Sequence, residues 1–526
     1  MNKIRLTDVS RLTSFHFKQL AAILLSLLLC IGFLGTKPAI ALMSQNSREF
    51  SIQPYLDKVE KEVKTFTLQN GIKFIVLERH QAPVVSFMLY ADVGGANEPL
   101  GKTGVAHYLE HLAFKGTTDI GTTDYEAEKP LMDELDRLFD QIQAAKANGN
   151  TEKVQELQAE FDRVNQKASQ YIKQNEFGQI VERFGGVGLN ATTSTDATRY
   201  FFSLPSNKLE LWMSLESERF LDPVFREFYQ EKEVILEERR MRTDNSPIGK
   251  MIEAFQDAAF KVHPYRQPVI GYEEDLRNLK RQDVRDFFET YYVPHNLIVA
   301  IVGDVETSEV KTLAQTYFGR FRERPTPKVN PPAEPPQTET REVNLELPTQ
   351  PMYLEGYHRP AGNHPDHAVY DLMGSILSDG RTARLYKSLV EEQQVSLSAA
   401  GFSGFPGDKY PNLMLFYSLT APGHTVDEVA EALGAEIERM KTEPVSQEEL
   451  DRVKTQAKAS LLGTLDSNSG LASLLAKYEA TTGSWRNLFG EIEAIEAVTS
   501  EDIQRVAQGT FTPENRTIGR LLTASN

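Results

Sequence analysis

Cysteine is all but missing: Cys30 is the only one in 526 residues. No disulfide framework can be built from it, so stability must come from core and packing. Positive charge is also short, with 57 Lys and Arg against 74 Asp and Glu, a net charge of −17. That balance argues against nucleic acid as a partner, because no broad basic face is available to neutralise phosphates. A long apolar run is lacking outside the N-terminus. There Lys3, Arg5, Arg11 and Lys18 precede an apolar stretch from Leu20 to Leu34, then Ala39-Ile40-Ala41. This is the layout of a secretory signal peptide spanning 1–41, and the stretch is short for a membrane span. An uncleaved anchor is the alternative reading. Cleavage after Ala41 would leave a cysteine-free chain of net charge −21 with no stable membrane span, exported to a periplasm or another extracytoplasmic space.

The remaining composition, 40% hydrophobic and 25% charged, is that of a globular protein long enough for two domains. The chain repeats itself at an offset of 219. LRNLKRQDVRDFFETYYVPHNLIVAIV from Leu276 aligns with IEAVTSEDIQRVAQGTFTPENRTIGRLL from Ile495, matching Asp283 to Asp502, Pro294 to Pro513 and Asn296 to Asn515. Each copy reads as an amphipathic helix, a turn and an apolar strand. Between the copies, residues 322–341 hold six prolines and suit an extended linker. The expected organisation is therefore domain one over 48–325 and domain two over 342–526. Within domain one, apolar residues at helical spacing flank NGNT, which predicts a helical hairpin over about 126–175.

The segment GVAHYLEHLAFKGT, residues 104–117, places His107, Glu110 and His111 at helical spacing i, i+3 and i+4. Two imidazoles one turn apart can chelate zinc, and a carboxylate beside them can act as general base on a metal-bound water. Zinc catalysis wants a third protein ligand. YQEKEVILEERRMR, from Tyr229, offers Glu237 or Glu238, and spacing does not choose between them. Thr103 is the expected N-cap of the first helix. In the second half, HAVYDLMGSILSDGRT puts Tyr370, Met373 and Gly374 where His107, Glu110 and His111 stand. That half reads as a copy without the chemistry. His358, His364 and His367 are read as solvent-exposed loop residues rather than a second metal site.

H-x-x-E-H is the inverted zincin order. With FKGT after it, LNATTS at 189–194 and EKEVILEE downstream, nearly the whole chain beyond the signal-like segment resembles the M16 peptidases. That is the pitrilysin, insulysin and mitochondrial processing peptidase family, and the likeness is greatest to its short two-domain bacterial members. The resemblance implies an α+β, LuxS/M16-like fold of two duplicated domains, each an antiparallel sheet with helices on one face. It implies one Zn2+ per chain on His107, His111 and Glu238, Glu110 as general base, and Glu231 supporting the site from behind. It makes Asn190 and Ala191 part of an edge strand to which peptide substrates add. His111 and Glu238 lie 127 positions apart, farther than the family pattern, and an inserted hairpin accounts for the excess. The family's Arg–Tyr pair falls on Val390 and Leu397, neither of which can serve an oxyanion. The chain thus resembles the zinc-bearing half of a heterodimeric metalloendopeptidase whose second M16-like subunit supplies that pair. A weakly active assembly subunit or a peptide-binding module is the alternative.

Overall fold

The computed structural model describes residues 53–327 and 331–524, so the signal-like segment lies outside the described residues. Two sheets dominate. The first contains β1 (Lys64–Thr67), β2 (Lys73–Glu78), β3 (Val84–Ala91), β4 (Val187–Thr193), β5 (Thr198–Pro205) and β6 (Leu297–Gly303) in the order β1-β2-β6-β3-β5-β4. The second contains β7 (Arg341–Leu347), β8 (Met352–Arg359), β9 (Ser396–Phe405), β10 (Asn412–Thr420) and β11 (Arg516–Thr523) in the order β7-β11-β8-β10-β9. Apart from β1, the two orders map strand for strand.

Each sheet departs from the wholly antiparallel expectation at one place. β2 pairs with β6 in parallel, and β7 pairs with β11 in parallel. In both halves the last strand returns after a long crossover and enters beside the first, which parallel pairing requires. The repeat at offset 219 is reproduced in detail. Helices Arg281–Tyr291 and Ser500–Thr510 each precede a 3-10 turn, Pro294–Asn296 and Pro513–Asn515. Asp283 accepts the Lys280 N–H at 2.8 Å, and Asp502 accepts the Thr499 N–H at 3.1 Å. The Asn296 amide donates to the Tyr291 carbonyl at 3.0 Å, and the Asn515 amide to the Thr510 carbonyl at 2.9 Å.

Apolar residues occupy both parities of the central strands, so both faces of each sheet need cover. On one face of the first sheet Phe74, Val76, Phe87, Leu89, Val299 and Ile301 join the core beneath its own helices. On the other, Ile75, Leu77, Met88, Tyr90, Ala300 and Val302 are also buried. That face is covered by a helix of the second half, Asn468–Thr482, which packs on β3 and β6. Lys73 of β2 pairs with its Glu479. The loan is reciprocal, because helix Pro247–Ala259 of the first half lies on β7 and β11. Its Met251 and Phe255 share a cluster with Leu354, Leu415 and Leu521. Helices of its own half pack on one face of each sheet, as expected, and the second face is covered by a helix of the other half. The proline-rich segment is anchored as well. The Glu334 carboxylate accepts the backbone N–H groups of Lys261, Val262 and His263 at 2.8–3.1 Å.

Four helices set up the site: α1 (Val105–Leu112), α2 (Tyr125–Ala147), α3 (Thr151–Ala168) and α4 (Phe228–Arg239). Helices α2 and α3 form the hairpin, with Leu135, Leu138, Ile142, Leu157 and Phe161 in its core. Asn150 caps α3 by accepting the Lys153 N–H at 3.0 Å. Among the described residues no helix is long and apolar enough to cross a membrane.

Candidate metal centre

Helix α1 buries Val105, Ala106, Tyr108, Leu109 and Leu112, and its remaining face carries His107, itself buried, with the half-buried Glu110 and His111. Its start is not capped by Thr103, whose hydroxyl donates instead to Asp275 at 2.6 Å. The Glu98 carboxylate does the work, accepting the N–H groups of Gly104 and Ala106, both at 2.8 Å. Those groups are helix-start donors with no intrahelical acceptor. Gly104 itself has φ +86°, a left-handed conformation that suits glycine. Burial pushes the Glu98 carboxyl up to about 8.

Helix α4 brings two carboxylates to these histidines. His107 Nε2 lies 3.2 Å from His111 Nε2. Glu238 Oε2 lies 3.9 Å from the first and 3.6 Å from the second. Donors bound to one zinc at about 2.0–2.2 Å in a tetrahedral array stand roughly 3.3–3.5 Å apart, so this trio fits a single ion closely. Arg242 holds the other Glu238 oxygen at 2.8 Å, which leaves Oε2 aimed at the imidazoles. Glu237 is exposed and pairs with Arg240, away from the trio. Ile235 and Leu236 bury this helix against the core, while Val234 is 50% exposed.

The electrostatics suit a cation. Burial, then the neighbouring His111, pushes His107 down to about 3, so its ring is the neutral form a metal needs. Burial opposes charge on His111 too, but the Glu231, Glu238 and Glu110 carboxylates outweigh it and raise the ring's pKa. Those carboxylates favour positive charge there, whether a proton or a metal ion carries it. Glu231 stands behind the site. One of its oxygens takes His111 Nδ1 at 2.7 Å and the other takes the Lys115 ammonium at 2.6 Å. Burial works against the Glu231 charge, yet these bonds hold its carboxyl down at about 2.

Glu110 does not join the trio. Its Oε2 accepts the Thr193 hydroxyl at 2.6 Å, and burial raises its pKa. Thr193 ends β4, the edge strand that also carries Asn190 and Ala191. Asn190 is exposed, while Ala191 is buried beneath the strand. Pairing with β5 is irregular between Val187 and Asn190, and the outer edge of β4 pairs with no strand among those described. A cavity of about 300 Å3 opens beside Glu110 and His111, walled by Phe114, Lys115, Asn175 and Glu227. Lys115, Thr193, Glu98 and Arg242 were not singled out from the sequence. Lys115 lies past the end of α1, in the loop that follows, so helical spacing did not mark it.

The second half has no equivalent centre at the matching helix, His367–Ser378. Tyr370, Met373 and Gly374 are all buried there. His367, Asp371 and Glu491 do gather nearby. Arg359 donates to His367 Nδ1 at 3.0 Å, so the proton of the neutral ring sits on Nε2 and no lone pair remains for a cation. His358 is half-buried against the Ala259 carbonyl at 3.1 Å, not a solvent-exposed loop residue as expected. Val390 is half-buried in a π-helical turn, Tyr386–Glu392, and Leu397 is 54% exposed on the edge strand β9.

Comparison with known proteins converges on one group. The model of the insulinase (peptidase family M16) domain matches residues 73–132 and 161–273. That of the peptidase M16 inactive domain matches 278–457. A zinc protease of Helicobacter pylori, PqqE, is 30% identical over 438 residues, covering 81% of this chain and 84% of that one. The crystal structure of a protease from Helicobacter pylori superposes with a TM-score of 0.74 at 28% identity, covering 88% of this chain and 99% of the other. The periplasmic protease PqqL of Escherichia coli superposes with a TM-score of 0.64 at 17% identity, covering 88% of this chain but 48% of its own.

Proposed function

The chain belongs to the M16 (insulinase) family of peptidases, and from that footing we propose that it is a zinc-dependent metalloendopeptidase acting on peptides or unfolded segments. The observation that carries the reading is the convergence of His107 Nε2, His111 Nε2 and Glu238 Oε2 within 3.2–3.9 Å of one another. These three residues would hold one Zn2+ per chain. When bound, zinc lowers the pKa of water toward neutrality and polarises a peptide carbonyl.

The chain's own residues do the rest. Glu110 takes the proton from the attacking water and returns it to the leaving amine. Thr193 fixes one Glu110 oxygen, so the other is the one that meets the water. Glu231 orients His111 through Nδ1. An extended substrate pairs its backbone with the free edge of β4 at Asn190 and Ala191, which carries the scissile bond past Glu110. A bound segment must be unfolded to do this, because the pairing uses main-chain groups that a folded substrate has already spent.

Turnover on this reading needs a second M16-like subunit. No oxyanion donor can come from Val390 or Leu397, and the chain corresponds to about half of the PqqL chain. Export is read from the basic and apolar layout of residues 1–41, and PqqL is itself periplasmic by name.

The test is cleavage of a quenched, unstructured peptide by the purified chain, with and without chelator, beside Glu110→Gln. Chelator-sensitive cleavage lost in Glu110→Gln is the expected signature once the partner subunit is present. Cleavage by the chain alone would refute the need for a partner. Peptide binding without cleavage under either condition would favour a binding subunit instead.

A further inference from the structure

The hairpin of α2 and α3 is the part of the first half that the reaction does not use. The family match stops at 132 and resumes at 161, so most of the hairpin falls outside it. Its contacts nevertheless run straight toward the metal ligands. Glu128, in the first turns of α2, is 1% exposed and pairs with Arg226, itself 1% exposed. Arg226 Nε donates to Glu128 at 3.0 Å. The remaining guanidinium N–H groups reach the carbonyls of Lys115 at 2.5 Å, Ile120 at 2.9 Å and Thr117 at 2.6 Å. The loop that leaves α1 is thereby wrapped around one buried cation. Gly116, at φ +98°, makes the wrap possible, since a Cβ there would sit 2.1 Å from the Ile120 carbonyl oxygen.

The same loop carries Lys115, and Lys115 is held at both ends. Its carbonyl is bound by Arg226, and its ammonium lies 2.6 Å from Glu231 and 3.4 Å from Glu227. Glu231 in turn grips His111 Nδ1. A second set of bonds ties the hairpin to α4, the helix that carries Glu231 and Glu238. Tyr229 donates to Asp136 of α2 at 2.9 Å, and Gln230 donates to Asn165 of α3 at 2.6 Å. Both ligand-bearing helices, α1 and α4, are therefore bolted to the same hairpin.

We propose that the hairpin is a brace for the metal centre, and that Arg226 and Lys115 are positioning residues that transmit its hold to His111 through Glu231. The inference rests on the reading of His107, His111 and Glu238 as the zinc ligands. Partners that orient a ligand in this way are worth about 10–100-fold in metal affinity. A hairpin serving only to add bulk or to bury its own core would leave that affinity alone.

The experiment is zinc affinity, measured by competition with a chromophoric chelator on the full chain, beside the melting temperature of the same proteins without metal. Lys115→Met is expected to weaken zinc by about 10–100-fold, and Lys115→Arg to recover most of the loss. Glu128→Gln is expected to weaken zinc by about tenfold or more. Glu134→Gln, whose carboxylate pairs with Arg137 of the same helix, is expected to leave it unchanged. If Glu128→Gln fails to fold, Asp136→Asn combined with Tyr229→Phe loosens the hairpin from α4 and is expected to weaken zinc in the same direction. A Lys115→Met protein that keeps wild-type zinc affinity while melting earlier would overturn the positioning role. A folded Glu128→Gln protein with wild-type affinity would overturn the brace. A wild-type chain that binds no zinc would instead refute the ligand assignment on which both rest.

Discussion

Adding one methyl group at Gly356 tests whether the two halves fold as one body. Gly356 lies on β8 of the second sheet, beneath the helix lent by the first half. A Cβ there would stand 2.9 Å from Phe255 Cζ and 3.2 Å from its Cε1. Phe255 is fully buried, so its ring cannot simply swing into solvent. Overpacking of this kind costs about 1–3 kcal/mol. Shortening the ring by Phe255→Leu opens space, so Gly356→Ala should cost far less in that background. The coupling between the two substitutions should be about 1–2 kcal/mol, within the range for residues in contact. The assay is urea unfolding followed by circular dichroism and by fluorescence. The chain has two tryptophans. Trp212 stacks on Phe87 in the first half at 4.5 Å between ring centres. Trp485 belongs to the second half but donates to Thr65 of β1 at 3.1 Å. One coincident transition is expected by both probes. A neutral Gly356→Ala, additive effects of the two substitutions, or two separated transitions would each refute the reciprocal packing.

Acid should weaken the protein through His263. Burial pushes its ring down to about 4 from an ordinary 6.5. The folded state therefore prefers the neutral ring, and the stability is whole above pH 6.5 and lost as pH falls toward 4, by about 3 kcal/mol at most. His263→Asn keeps an acceptor for the Tyr265 N–H and should flatten that slope in a melting-temperature series; an unchanged slope would assign it elsewhere. Asn515→Ala removes bonds to the His358 and Thr510 carbonyls and should cost about 1–3 kcal/mol in urea unfolding, whereas a silent substitution would deny the repeated turn its structural weight. Installing the missing pair by Val390→Arg with Leu397→Tyr should raise peptide cleavage by the isolated chain about tenfold or more, and an unchanged rate would mean that oxyanion stabilisation is not what the chain lacks.

Periodicity made much of the site legible beforehand. A helix of 3.6 residues per turn forces His107, Glu110 and His111 onto one face wherever it packs. The repeat at offset 219 was equally plain, because capping aspartates and turn asparagines make local bonds that survive duplication. What sequence could not decide was tertiary. Glu237 and Glu238 are neighbours on one helix, and only packing turns the second toward the histidines and the first toward Arg240. Thr103 looks like a cap because threonine often is one, yet Glu98, six residues before Gly104, does it instead. The parallel pairing in each sheet and the exchanged cover helices join segments far apart in sequence, where no local pattern speaks. Lys115 lies in the loop after α1, and no local pattern ties it to Glu231, which comes from another helix.

The most direct test of the account is metal content. The purified chain, loaded with zinc and desalted, would be analysed by elemental mass spectrometry beside His107→Asn, His111→Asn and Glu238→Gln. One zinc per chain in the wild type, and little or none in each variant with circular dichroism unchanged, is the predicted result. Zinc retained by all three variants, or absent from the wild type, would contradict the assignment of His107, His111 and Glu238 as the metal site.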